Sequence, residues 1–424
     1  MKKYLTKQEN KGDASTFLKN IILKNRSVPA ILLILFVFIG SSQAALTSLE
    51  ISQQEKEKAE ASSEKLWFKN LNAYRQRIAE EYGANLAFLV NYAQQAIVDS
   101  KRDAGKSRSA WYWNFEISQK AWPQGVLFAE LEMDRGKGAD KFLPTFSSFN
   151  ENSGDDAWLY IPALYLEQSF FADRVFLSAG KLDLSYWFDC NEAANSADTQ
   201  FLSSSLVNSP VIPFPAKGFG AMLNFKPYKW LYFQSGASSA KASSTKIGLS
   251  GAFNSAFFIS ELGLSPEFAS LKGNYRFILR ANHQKLEYIN LDETKKNDSG
   301  WALSFDQAIT KRVTLFLRYG FADPQVRDIE YFWSGGAQVV ELIPGRKRDI
   351  LGVGVARSII SDDYRQANGY DETSRSEIMY ELYYSYNLNS FSILTPNIQI
   401  VSNPNADKAE ATEIVCGLRL LLSF

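Results

Sequence analysis

Charged and aromatic side chains recur on one face of strand-like segments, and their types define a narrow range of chemistry. Glu116, Glu130, Glu132, Glu377 and Glu381 fall on such faces, as do Arg276, Arg280, Arg312, Arg318 and Arg419, with Tyr112, Phe128 and Phe316 among them. Carboxylates accept hydrogen bonds and guanidinium groups donate them, so a surface bearing both can exchange partners with the hydroxyls of a polyol. Rings between them offer flat apolar faces for stacking. Opposed charges across water set up a transverse field and no bulk preference for one sign of ion. Nucleophilic catalysis needs a nucleophile and a base in contact. The sequence holds one histidine, His283, which shares the parity of Tyr275, Phe277 and Leu279 on an apolar face. Neither an enzyme nor a zinc, haem or other cofactor is expected. Taken singly, each charged residue reads as an ordinary solvated side chain; the set as a whole favours a path for polar solutes.

Strands must position these residues, because the alternation has a period of two. In 110–119, Trp111, Trp113, Phe115 and Ile117 oppose Tyr112, Asn114, Glu116 and Ser118. In 274–281, Tyr275, Phe277 and Leu279 oppose Arg276, Ile278 and Arg280; in 312–319, Val313, Leu315 and Leu317 oppose Arg312, Phe316 and Arg318. In 376–386, Ile378, Tyr380 and Leu382 oppose Glu377, Met379 and Glu381. The last strand runs through Ile414, Cys416, Leu418, Leu420 and Leu422 to a terminal Phe424. A soluble sandwich would alternate in the same way. The connections separate the cases. Links at 120–124, 171–174, 226–229 and 310–311 are tight, whereas 97–109, 134–156, 184–215, 240–252 and 285–298 are long and polar. Short turns at one end and long loops at the other characterise outer-membrane barrels, whose strand number is even. Fifteen segments alternate clearly, and a weaker one near 331–340 makes the number even. The expectation is all-β: a 16-stranded antiparallel transmembrane β-barrel over 83–424, preceded by a short helical N-terminal region. Its apolar faces meet lipid, since an Arg or Lys there at mid-bilayer costs about 2–4 kcal/mol.

The composition agrees. With 46 basic and 46 acidic residues, no basic face calls for nucleic acid. A mean hydropathy of −0.21 argues against a helical membrane protein but not against half-apolar strands. The 30 Phe, 20 Tyr and 9 Trp suit interfacial girdles. Residues 1–44 read as an export signal with a long basic leader: Lys2, Lys3, Lys19, Lys24 and Arg26 precede an apolar run at 28–40, and Ser42 and Ala44 supply the small residues of a cleavage site. Residues 45–82 read as a helical periplasmic arm or plug, charged from Glu50 to Lys65 and amphipathic through Leu66, Leu71, Tyr74, Ile78 and Tyr82. Cys190 and Cys416 are too far apart in sequence to suggest a disulfide framework.

The link between Asp183 and Ala216 is the longest, and loops of that length usually carry function. Part of it is expected to fold into the lumen and narrow it. Here Gly180-Lys181-Leu182-Asp183, Phe188-Asp189, Asn191-Glu192, Ala194-Asn195, Thr199-Gln200-Phe201-Leu202 and Val207-Asn208-Ser209-Pro210 resemble the OprB family of carbohydrate-selective porins. Pro344-Gly345-Arg346 with Asp349, Gln399-Ile400 with Asn403-Pro404, and the terminal Gly417-Leu418-Arg419 add to the resemblance. It implies a barrel in the outer membrane of a Gram-negative-type bacterium. It further implies passive sugar uptake and a charged, aromatic constriction to which Lys181, Asp183, Asp189 and Glu192 contribute. The implied partners are carbohydrates or other small polar solutes, outer-membrane lipid, and the barrel assembly machinery acting on the strand that ends in Phe424; a homo-oligomer is compatible. The alternatives are a general non-selective porin and a plugged structural barrel or adhesin.

Overall fold

Residues 73–424 are described in the computed structural model, apart from 155, 248–253 and 292–294; the expected export signal, the charged arm and most of the expected N-terminal helix lie outside the described residues. Side chains in an extended chain point alternately to opposite faces, so period-two sequence becomes strand wherever the two faces meet different solvents. The strands are β1 (Ala84–Asp99), β2 (Ser107–Trp122), β3 (Gly125–Arg135), β4 (Tyr160–Phe170), β5 (Val175–Leu182), β6 (Gly218–Tyr228), β7 (Leu231–Ser239) and β8 (Ala256–Leu264). They continue as β9 (Glu267–Phe268), β10 (Leu271–Glu287), β11 (Lys295–Ala308), β12 (Val313–Ala322), β13 (Ile329–Val340), β14 (Ile350–Ile360), β15 (Ser376–Asn387), β16 (Ser392–Ser402) and β17 (Glu413–Ser423). The two-residue β9 is a rung in the turn between β8 and β10; the other sixteen strands form one antiparallel sheet. The weak segment near 331–340 is β13, where Gly335 and Gly336 dilute the alternation but still pair with Leu317 and Phe316.

Pairing of β17 with β1, from Leu89↔Ser423 onward, closes the barrel. Phe424 N–H donates to Phe88 O at 2.8 Å, and Phe88 N–H donates to Phe424 O at 3.1 Å. Closure leaves no unpaired sheet edge, which hydrocarbon would not tolerate. Only Pro123 and Gln124 join β2 to β3, and only Lys229 and Trp230 join β6 to β7. At the other end, 136–159 and 183–217 are long. A helix over 73–82 leads into β1 at the short-turn end, where Gln119 Nε2 donates to Tyr82 O at 2.7 Å and Arg75 Nη2 to Leu86 O at 2.5 Å.

Outward-facing Leu223, Phe233, Leu262, Phe277, Leu279, Leu317, Val353 and Leu382 are exposed, so no second layer of this chain covers them. Aromatics gather toward the strand ends, including Tyr228 stacked on Trp230 and Phe424 stacked between Phe88 and Phe391 at the short-turn end. Cys416 keeps the outward register, between Ala96 and Ile398, and is buried there.

The apolar core lies inside the barrel. Phe149, Phe188, Phe201, Leu206 and Val211, from the two long loops, pack on Ile278, Phe316, Phe332, Met379 and Tyr383 of the wall. The lumen is therefore partly filled, in line with the expectation that part of the link between Asp183 and Ala216 folds into it. Glycines make room for the loop: a Cβ on Gly320 would lie 2.6 Å from Val211 Cγ2, and one on Gly354 would lie 2.9 Å from the Phe201 ring. If the exterior meets hydrocarbon, Leu317→Arg at the middle of β12 lowers stability by about 2–4 kcal/mol. Urea unfolding in lipid vesicles measures this, and an unchanged midpoint contradicts a lipid-facing surface.

Candidate functional site in the barrel lumen

Inward-facing charges of β12, β15 and β17 hold the loop over 183–217. The hub is Arg318, fully buried on β12. Its Nε donates to Asp189 Oδ1 at 3.0 Å; Nη2 donates to the carbonyls of Asp189, Ala194 and Val207, and Nη1 to that of Leu206. Asp189 adopts φ 59°, a left-handed conformation that aspartate tolerates. Its Oδ2 accepts from Ser209 N–H at 2.6 Å, joining two parts of the loop. Glu381 accepts from the N–H groups of Leu202 and Ser203 at 2.8 and 2.9 Å. Arg419 donates to the carbonyls of Ala197 and Gln200. A buried charge is tolerable only when paired and hydrogen-bonded, and backbone groups supply most of the partners here.

The other inward charges on this side are similarly engaged. Glu377 accepts from Phe146, Ser147 and Asn405 N–H, tying the 136–159 loop to β15. Arg276 pairs with Asp306 at 2.7 Å, and Asp306 also accepts from Glu192 N–H. Arg280 pairs with Asp298 at 2.6 Å and donates to Val211 O. Asp140 organises the 136–159 loop by accepting from Ser148 Oγ and the N–H groups of Phe149 and Asn150. Burial pushes its carboxyl up to about 6, against those donors.

The wall formed by β2 to β5 differs. Phe128, Tyr165 and Trp187 form a run of rings with centroid spacings of 4.8 and 5.4 Å, and Tyr186 follows at 6.2 Å. Tyr186 is exposed, and its hydroxyl donates to Glu130 at 2.6 Å. Asn114 donates to the other oxygen of Glu130. Glu116 lies beside this run on the inward face of β2, half-buried. Lys217 Nζ binds Glu132 at 2.9 Å and approaches Asp183 at 4.0 Å and the Tyr186 ring at 5.7 Å. Burial opposes charge on Lys217, but the carboxylates of Glu132, Glu130 and Asp183 outweigh it and hold the ammonium above the ordinary lysine range. Two cavities flank the run. One, of about 320 Å³, touches Glu151, Asp183, Asn208, Phe214 and Lys217; the other, of about 410 Å³, lies at the short-turn mouth.

The residues expected from sequence thus separate into three groups. Glu116, Glu130, Glu132, Asp183 and Glu192 lie toward the aromatic run or on the exposed side of the loop. Asp189, Arg276, Arg280, Arg318, Glu377, Glu381 and Arg419 are buried holders of loop or wall. Two stand elsewhere. Lys181 pairs with outward Leu164 and Phe219, and its Nζ reaches the carbonyls of Ser244 and Lys246. Arg312 lies in the turn before β12, exposed and paired with Glu341 at 3.0 Å. Strand parity fails for it because the strand begins one residue later. Asp298 and Asp306 were missed, although they share the inward parity of Ser304 on β11. Lys217, Tyr165 and Trp187 carried no local signal. His283 stands exposed on the outer face with its ring 5.1 Å from that of Phe258.

Removing Arg318 leaves Asp189 buried without its cation, a loss of about 3–5 kcal/mol for such pairs. Arg318→Ala should therefore release the loop while the barrel ladder persists. Single-channel recording should give a higher conductance than the parent, with heat-modifiable migration of the barrel retained; an unchanged conductance contradicts the holding role.

The geometry accords with the comparisons. A sequence model described as the carbohydrate-selective porin OprB family matches residues 122–424. Among solved structures, the fold is similar to the high-pH structure of Pseudomonas putida OprB, with 16% identity, a TM-score of 0.74, and 84% of this chain and 97% of that one covered. The low-pH structure of the same protein gives 15% identity and a TM-score of 0.56, with the same coverages. An uncharacterized protein of Aquifex aeolicus (strain VF5) is 24% identical over 230 residues, a match spanning 54% of this chain and 60% of that protein. The closed sixteen-stranded barrel, the loop folded into it and the family match over 122–424 together make this chain a member of the OprB family of carbohydrate-selective porins.

Proposed function

We propose that this chain is an outer-membrane channel through which sugars and other small polar solutes diffuse passively along the wall formed by β2 to β5. The observation that carries this reading is the run of Phe128, Tyr165, Trp187 and Tyr186 between the two cavities. Rings stack on the apolar faces of a sugar, while Glu116 accepts from its hydroxyls and Lys217 donates. A polar solute leaving bulk water thus meets replacement partners along the wall. The arginines on the opposite side take little part, since Arg276 and Arg280 are buried and paired. The half-buried Glu116 carboxylate beside the rings favours cations over anions. On this reading, the apolar exterior sits in the outer membrane of a Gram-negative-type bacterium, and the strand ending in Phe424 is what the barrel assembly machinery engages.

Planar-bilayer recording tests the proposal. An ion current that glucose reduces is expected; absence of current supports a plugged structural barrel, and current indifferent to sugars supports a general porin. Tyr165→Ala should weaken the block by glucose more than it changes the ion current, and equal effects would place the sugar path elsewhere. Reversal potentials in a salt gradient should show cation preference that falls in Glu116→Gln; no change removes Glu116 from the path.

A further inference from the structure

The cavity at the short-turn mouth is built by two parts of the chain that barrel closure does not require to meet. Ala79 and Gly83, at the end of the N-terminal helix, form one side; Asn85, Ser118 and Lys120 of β1 and β2, and Glu167 and Phe176 of β4 and β5, form the others. The helix is fixed there. Gly83 N–H donates to Ala79 O at 3.0 Å, Lys120 N–H donates to Gly83 O at 2.9 Å, and Gln119 holds Tyr82 O. Gly83 turns the chain into β1 with φ 65°, a conformation that most side chains resist. Small residues on the helix side leave the volume of about 410 Å³ unfilled.

We propose that this cavity is an exit subsite that holds one neutral sugar ring, with the N-terminal helix as one of its walls. The inference rests on the reading of the chain as a sugar channel. Phe176 pairs with Ser169 and Tyr165 with Gly180, so the Phe176 ring stands four residues farther along the same inner wall. At about 3.3 Å per residue the step is about 13 Å, so a sugar at the main run and one at the exit would not overlap. Lys226 Nζ lies 5.4 Å from the Phe176 ring centroid, which steadies the ring. Glu167 offers acceptor oxygens, Lys120 donors, and Asn85 and Ser118 both. One carboxylate and one ammonium balance within the cavity, which suits an uncharged polyol rather than an ion. The volume falls in the range of small-ligand pockets, about 300–1,000 Å³.

The test places a reporter thiol in the cavity of the full chain. Cys190→Ser removes the partly exposed native thiol, Cys416 being buried, and Ala79→Cys adds the reporter. In detergent-free vesicles, labelling of this thiol by a methanethiosulfonate reagent is followed by mass spectrometry with and without glucose. Glucose should slow labelling by 1 + [L]/Kd, about threefold at twice Kd, and Phe176→Ala should abolish the protection while labelling itself persists. A labelling rate unchanged by glucose, at concentrations that reduce the current of the same protein, overturns the exit subsite and leaves the channel intact. Protection that survives Phe176→Ala also overturns it. Absence of any current or sugar block is the separate failure of the channel reading.

Discussion

A buried guanidinium has five N–H donors and little tolerance for leaving them without acceptors. Arg318 meets this demand with the Asp189 carboxylate and four backbone carbonyls from a loop more than a hundred residues away in sequence. That constraint decides the interior. If the loop left, Arg318 would lose the Asp189 carboxylate and all four carbonyls at once, and while it stays, Phe188, Phe201 and Leu206 remain packed on the wall. A sixteen-stranded barrel alone encloses a wide aqueous opening. In this chain one side of the opening is solid.

Charge is divided accordingly. On the filled side, Arg276, Arg280 and Arg318 face Asp306, Asp298 and Asp189 at hydrogen-bonding distance. On the open side, Glu130 and Glu132 bind Tyr186 and Lys217, with rings between. Paired charges therefore hold loop to wall on the filled side, whereas on the open side they tie the ring run and Lys217 to β3.

Much of this division could not be read along the chain. The inward parity of Arg276, Arg318, Glu377 and Glu381 was legible because each alternates with apolar residues that lipid requires. Their partners were not, since Leu202 and Ser203 reach Glu381 from a loop with no period. Lys181 illustrates the opposite case. It belongs to the distinctive block after Gly180, yet its register with Leu164 and Phe219 points it outward, and its length carries the ammonium to loop carbonyls. Long cationic side chains reach polar partners in this way.

The number of strands, their two faces and the end at which the loops are long can be read from the order of the residues. The faces follow from local alternation between hydrocarbon outside and polar groups inside, the sixteenth strand from the even number that such barrels have, and the loop end from the spacing between strands. Which inward charges are covered by the loops is settled only when the chain has folded. That choice depends on side chains of the 136–159 and 183–217 loops arriving across the lumen, against glycines such as Gly320 and Gly354 that admit them. Contacts between segments so distant in sequence leave no periodic trace, so the filled side and the aromatic run opposite it become visible only once the barrel has closed.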